Sequence, residues 1–234
     1  MLTCRLFSGT PTLVLLHGIQ GTGAAWNEVI GNLPREIGLV VPNMRGRAGS
    51  YTPEDPDSYK ISDFSGDLDG LLEMLEAPVW LCGWSMGVLV ILDYLARFGQ
   101  DRVAGLVLAS GTACLNGEAK WFQGETPEEI ANEAADRAAK LGLSEAATPM
   151  AAAGSWLSAR EADLREGLPG IDVPTLVIHG SADDQCPPAH GLAIAETIPG
   201  ARFELWDGGG HNLMKEDPKR FAGLVAQFLY QPKA

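Results

Sequence analysis

Five residues, Gly83-Trp84-Ser85-Met86-Gly87, combine a hydroxyl with the spacing of a sharp turn. The apolar run Val79-Trp80-Leu81-Cys82 leads into them and Val88-Leu89-Val90-Ile91-Leu92 leads out, so the order reads strand, G-x-S-x-G, helix. A nucleophile on such a turn sits in strained backbone, and the residues two before and two after it must be small enough for a close approach. Ser85 would then stand at a helix N-terminus, where orphan N–H groups and the helix dipole favour developing negative charge. The chemistry this suits is attack by the serine on a carbonyl carbon.

A serine hydroxyl is a weak nucleophile and needs a base that is itself held by a third group. Of the four histidines, His17 and His179 end apolar runs, His190 opens a helix pattern, and His211 follows three glycines in Asp207-Gly208-Gly209-Gly210-His211-Asn212. A Gly-rich loop after a late strand can carry an imidazole over a sheet edge, which makes His211 the candidate base. His179 and His190 read as packing histidines. In the order Ser, Asp, His the acid precedes the base, and Ile178-His179-Gly180-Ser181-Ala182-Asp183-Asp184 offers two adjacent carboxylates. Their side chains diverge, so only one can face the imidazole. Three positions after the glycine, Asp183 is favoured over Asp184, and Asp207 lies too close to His211 in sequence to approach from a separate strand.

With these motifs in this order, the sequence resembles an α/β-hydrolase over nearly its whole length, from His17-Gly18 through the serine turn to the Asp183 and His211 loops. The resemblance implies that the residues after the His-Gly pair and after the nucleophile, Ile19 and Met86, donate backbone N–H groups to an oxyanion, and that their side chains line the acyl pocket. One segment departs from the family pattern: where many members carry Asp-x-x-Gly-x-Gly-x-Ser, this chain reads Asn43-Met44-Arg45-Gly46-Arg47-Ala48-Gly49-Ser50, a change expected to leave the catalytic parts untouched. The serine turn, Val103 to Ala109, Ser110-Gly111-Thr112-Ala113-Cys114 and Trp121 are similar to the small carboxylesterases that demethylate pimeloyl carrier-protein methyl ester in biotin synthesis.

The elements that must position these residues follow from periodicity. Thr12–Leu16, Leu39–Pro42, Val79–Cys82, Val103–Ala109, Thr175–His179 and Ala201–Trp206 read as strands, each closed by Gly, Pro, Asp or a polar turn. Helix patterns lie between them at about Ala24–Leu33, Ile61–Leu75, Met86–Phe98, Ala189–Ile198 and Pro218–Tyr230. Alternating strands and helices imply right-handed crossovers and a mostly parallel sheet of six to eight strands, with helices on both faces. Only 16 residues precede His17, so the first antiparallel strands common in the family must be shortened or partly absent. From Thr112 to Pro169 no strand is evident, and a helix begins near Thr126-Pro127-Glu128-Glu129, with a capping Thr before Pro. Ten of the 23 residues from Ala131 to Ala153 are alanine, which favours helix but supplies little packing area, so the expectation is a loosely anchored helical cap. The division is thus residues 1–111 and 170–234 as core and 112–169 as a cap insertion. Among the aromatics, Trp84 and Trp121 lie near the catalytic loops and, with Gln20, are the candidate substrate-pocket residues; Trp26 and Trp156 read as packing.

Composition narrows the rest. The 234 residues, 46% hydrophobic and 20% charged, suffice for a core that needs no disulfide or metal staple. A formal charge of −13 opposes nucleic-acid binding, whose affinity comes from Lys and Arg releasing counterions. No run of about 18 apolar residues occurs, so no membrane span is expected. Cys4, Cys82, Cys114 and Cys186 show no Cys-x-x-Cys spacing, which reads as buried, reduced thiols in a cytoplasmic protein, with no metal and no cofactor. The insert holds five bases (Lys120, Arg137, Lys140, Arg160, Arg165) against ten acids, and its net −5 disfavours an acidic carrier protein as partner. The expected function is a carboxylesterase acting on small or short-chain esters through Ser85, His211 and Asp183. The alternatives are a pimeloyl carrier-protein methyl ester esterase, a carbon–carbon bond hydrolase or perhydrolase on the same fold, and a non-catalytic small-molecule receptor.

Overall fold

The computed structural model describes residues 1–118, 121–143 and 145–231. Lys120, one of the five insert bases, lies outside them. Seven strands, β1 (Thr3–Phe7), β2 (Thr12–Leu16), β3 (Gly38–Asn43), β4 (Val79–Trp84), β5 (Val103–Ala109), β6 (Thr175–Gly180) and β7 (Arg202–Trp206), form one sheet in the order β1-β3-β2-β4-β5-β6-β7. All pairings are parallel except β1 with β3. The fold is that of an open, mostly parallel sheet covered on both faces, as the apolar strands require.

Alternation along the strands sends successive side chains to opposite cores. Val14 and Leu16 of β2, Val40 of β3 and Leu81 of β4 join one cluster; Leu13, Leu15, Leu39, Val41, Trp80 and Cys82 join the other. The first cluster is closed by α2 (Ile61–Leu72) and α3 (Met86–Phe98), with part of α6 (Pro188–Thr197). The second is closed by α1 (Asn27–Asn32), α7 (Leu213–Glu216) and α8 (Pro218–Leu229). The helix expected over Ala24–Leu33 is divided, a 3-10 turn at Gly23–Trp26 preceding α1. No helix among the described residues is long and apolar enough to cross a membrane.

Between β5 and β6 run α4 (Pro127–Lys140) and α5 (Pro149–Glu161), followed by a 3-10 turn at Arg165–Gly170. The Thr126 hydroxyl caps α4 and the Glu129 carboxylate returns a bond to the Thr126 N–H, the reciprocal arrangement suggested by Thr-Pro-Glu-Glu. The expectation of loose anchoring is overturned. Ala151, Ala152, Ala153, Gly154, Ser155 and Trp156 of α5 are buried, and the small residues let the helix press on the turn at Pro56–Tyr59, where a Cβ on Gly154 would overlap the Pro56 carbonyl. Alanine contributes little area per residue, but it permits backbone approach, and here approach decides the packing. The insert helices belong to the same apolar cluster as α2 and α3. The cysteines are free; Cys82 and Cys186 are buried, whereas Cys4 and Cys114 are only half-buried, against the expectation for all four.

Candidate active site

The register of the parallel strands puts Gly83 beside Leu16, Ala109 beside Trp84, and Trp206 beside Gly180. The chain segments leaving β2, β4, β6 and β7 therefore emerge along one sheet edge, and each carries one piece of the site. Ser85, between β4 and α3, adopts φ 56° and ψ −118°. A non-glycine residue there costs on the order of 1–3 kcal/mol and persists only when its surroundings over-determine it. They do so through the two glycines of the motif: a Cβ on Gly83 would overlap the Gly87 carbonyl, and one on Gly87 the Leu16 carbonyl of β2. The Ser85 N–H is also held by the Ala109 carbonyl at 2.9 Å.

The His211 Nε2 lies 3.0 Å from the Ser85 Oγ, and its Nδ1 lies 2.9 and 3.1 Å from the two Asp183 carboxylate oxygens. Ser85, Asp183 and His211 are buried to 3%, 5% and 6% exposure, so the chain of bonds is shielded from solvent. With Nδ1–H donating to Asp183, Nε2 presents its lone pair to the serine hydroxyl, the tautomer a general base needs. Trp84 fixes the His211 loop by donating its indole N–H to the His211 carbonyl at 2.9 Å.

Asp183, rather than the exposed Asp184 or Asp207, faces the imidazole. Its Oδ1 accepts the backbone N–H groups of Gln185 and Cys186 at 3.0 and 2.9 Å. Its Oδ2 lies 3.3 Å from the Nε2 of His179, which also donates to the Cys186 carbonyl. Burial alone pushes the Asp183 carboxyl upward, but the hydrogen bonds from His179 and His211, the His211 charge and the Cys186 N–H outweigh it and hold it well below the usual carboxylate range. His179, read from sequence as packing, thus touches the same carboxylate as His211. His190 is bonded through Nδ1 to the Thr112 hydroxyl at 2.8 Å, at the start of the insert.

The loop His17-Gly18-Ile19 passes directly over the serine, a Cβ on Gly18 falling 3.2 Å from that of Ser85. Ile19 lines the cavity, whereas the Met86 side chain is fully buried in the core and does not line it, a correction to the acyl-pocket expectation for Met86. As the first residue of α3, Met86 must point its side chain back into the packed sheet face. Among the described residues, neither the Ile19 nor the Met86 backbone N–H donates to a protein acceptor.

Through Arg47, the segment Asn43 to Ser50 bonds the loop that passes over Ser85. Fully buried, Arg47 donates to the Ile19 carbonyl at 2.5 Å, to the Arg45 carbonyl at 2.7 Å and to the Ser155 hydroxyl at 3.1 Å. Burial pushes its guanidinium down to about 9. Burial, with the Arg47 charge beside it, pushes His17 down to about 3; the neutral ring accepts the Met44 N–H at its Nε2. No sequence signal marked Arg47, because its partner Ser155 lies 108 residues away.

Ser85 and His211 open onto a cavity of about 420 Å³ whose walls include Gln20, Trp84, Trp121 and Arg137. The three expected pocket residues thus share one cavity, while Trp26 and Trp156 are buried in the core. Gln20 donates its side-chain amide to the Ala134 carbonyl of α4 at 2.9 Å, and Trp121 donates to the Gln185 carbonyl at 2.9 Å, so they tie the insert to the loops that carry Ile19 and Asp183. Among the described residues no group of three His, Cys, Asp or Glu is placed to hold a metal ion.

Residues 13–224 match the model of the alpha/beta hydrolase family. The chain belongs to the α/β-hydrolase family. Within it, the chain is 27% identical to a pimeloyl-[acyl-carrier protein] methyl ester esterase of Aromatoleum aromaticum, over 92% of this chain and 96% of that protein. It is 29% identical to the crystal structure of an esterase from Rhodococcus sp. ECU1013, with a TM-score of 0.81 over 97% of this chain and 94% of that one. An enol-lactonase from Burkholderia xenovorans is 26% identical, with a TM-score of 0.80 over 98% and 96% of the two chains. This α/β-hydrolase therefore has esterase-like relatives.

Proposed function

We propose that this α/β-hydrolase is a serine carboxylic-ester hydrolase. The observation that carries the reading is the continuous bonded series Ser85 Oγ, His211 Nε2, His211 Nδ1 and Asp183 carboxylate, at 3.0 and 2.9 Å. An ester enters the cavity, and His211 Nε2 takes the Ser85 proton as Oγ attacks the carbonyl carbon. The carbonyl oxygen, now an oxyanion, accepts the free N–H groups of Ile19 and Met86, each such donor being worth ~2.7–4 kcal/mol in the transition state. His211 returns the proton to the leaving alcohol, and water, activated by the same imidazole, releases the acid from Ser85. Asp183, held ionised by its donors, stabilises the imidazolium in both steps.

The esterase names among its relatives support ester rather than carbon–carbon cleavage. In wild type, p-nitrophenyl butyrate should be hydrolysed and Ser85 labelled by a fluorophosphonate probe. Ser85→Ala should lose at least about a thousandfold in kcat, with an unchanged circular dichroism spectrum. Equal turnover by the variant, or no labelling of the wild type, removes the proposal.

A further inference from the structure

The cavity that holds the nucleophile also holds a cation with no evident counter-ion. Arg137, in the last turn of α4, is half-buried in the cavity wall. The other charged wall residues, Glu145 and Lys215, are exposed. The guanidinium donates to two neutral acceptors, the Gln185 side-chain oxygen at 2.7 Å and, more weakly, the Trp121 carbonyl at 3.5 Å. Among the described residues no carboxylate lies within salt-bridge distance of it; the carboxylate whose field it feels, Asp184, is exposed to water.

Two facts separate this residue from an arginine that merely fastens the insert. A guanidinium has five N–H donors in a fixed fork, and two neutral acceptors leave part of that fork unused while it is partly withdrawn from water. Its main acceptor, moreover, belongs to the loop that carries the catalytic acid: Gln185 donates its backbone N–H to Asp183, and its carbonyl accepts the Trp121 indole N–H. The cation is thereby held in register with Asp183, and through it with His211 and Ser85, as a specificity group must be if it is to place one end of a molecule while the other end reacts.

We infer that Arg137 is an anion subsite and that the substrate class of this enzyme is an ester bearing a carboxylate at the end remote from the scissile bond. The inference rests on the ester-hydrolase reading and adds the chemistry of the second end. The substrate carboxylate enters opposite Gln185 and takes the unused guanidinium donors as a bidentate pair, while the ester carbonyl sits over Ser85. The insert's overall negative charge does not oppose this, because its acidic residues other than Glu145 lie outside the cavity wall.

The test measures kcat/KM for a series of monomethyl esters of dicarboxylic acids, from succinate to suberate, each beside the neutral methyl alkanoate of equal chain length. At the length that spans the cavity, the acidic ester should be preferred by roughly tenfold to a hundredfold, the range of a charged hydrogen-bonded pair. Arg137→Gln should reduce that ratio toward one, and Arg137→Lys should keep part of it. A ratio at or below one throughout the series overturns the inference and leaves the esterase reading standing. A variant that slows both esters equally does the same, because loss of a purely structural tie moves both together. If no ester is turned over, the esterase reading fails, and calorimetry decides the subsite separately. Monomethyl adipate should then bind Ser85→Ala more tightly than it binds the Ser85→Ala, Arg137→Gln double variant, and equal binding overturns the subsite.

Discussion

Asp183 accepts the His211 imidazole and two backbone N–H groups, with the His179 Nε2 3.3 Å away, so it is held both in place and in charge. Its ionisation is consequently part of folding. A carboxyl lowered in the native state contributes stability above the ordinary carboxylate range and loses it as the pH falls through its native value. Urea titrations should show wild type losing more stability than Asp183→Asn between about pH 4 and about pH 2. The same variant should lower kcat by about 10⁴-fold at neutral pH, because the amide can hold His211 in the wrong tautomer. Equal acid sensitivity of the two proteins would mean that His179 and His211 do not bias the carboxyl. At this scale the sequence picked out by local spacing two members of the bonded series, Ser85 and His211, and ranked Asp183, the carboxylate that His211 meets, above Asp184 by its offset from Gly180. It did not disclose His179 or Arg47, whose partners are set by loop closure rather than by neighbouring letters.

The strands bounded by Pro or Gly and filled with apolar residues were legible almost to the residue: Thr12–Leu16 and Val103–Ala109 stand in the fold as the periodicity reads them. Two elements were not. β1 is an edge strand with exposed residues at both ends and no clean alternation, so nothing in Thr3-Cys4-Arg5-Leu6-Phe7 distinguishes it from an extended arm until β3 pairs with it. α5 is buried on nearly every side, and a helix without a polar face carries no 3.6-residue signal. The close contact that replaces that signal is testable. Gly154→Val should cost about 1–3 kcal/mol in urea unfolding, since the added carbons meet backbone that cannot yield. Gly66→Ala, in α2 where an added Cβ meets nothing, should hold or raise stability.

For the whole molecule, the question is whether sheet and insert behave as two bodies. Residues of α4 and α5 share one apolar cluster with α2, α3 and β4, while Arg47 and Gln20 bond directly across the junction. Far-ultraviolet circular dichroism, which weights all the helices, and tryptophan fluorescence, with Trp121 and Trp156 in the insert, should therefore trace one coincident urea transition. Separate midpoints would show the insert melting on its own. The formal charge of −13 also reads differently once placed in space. It sums the whole sequence, whereas the cavity wall places half-buried Arg137 beside exposed Glu145 and Lys215.

The junction also sets terms for exchange of parts. The insert departs after β5 and returns before β6, so Ser85, His211 and Asp183 all lie outside it and bond one another directly, although Trp121 and Arg137 of the insert bond Gln185 in the Asp183 loop. A different segment grafted there would meet the same Ser85, His211 and Asp183 series and alter what can be bound. Yet the host loops extend two polar groups into the graft: the Gln20 amide, which needs a carbonyl such as that of Ala134, and the Arg47 guanidinium, which uses the Ser155 hydroxyl. A chimera that offers neither acceptor would bury the Gln20 amide unsatisfied and leave Arg47 only its Ile19 and Arg45 carbonyls, so compatible inserts can be chosen by those two acceptors first.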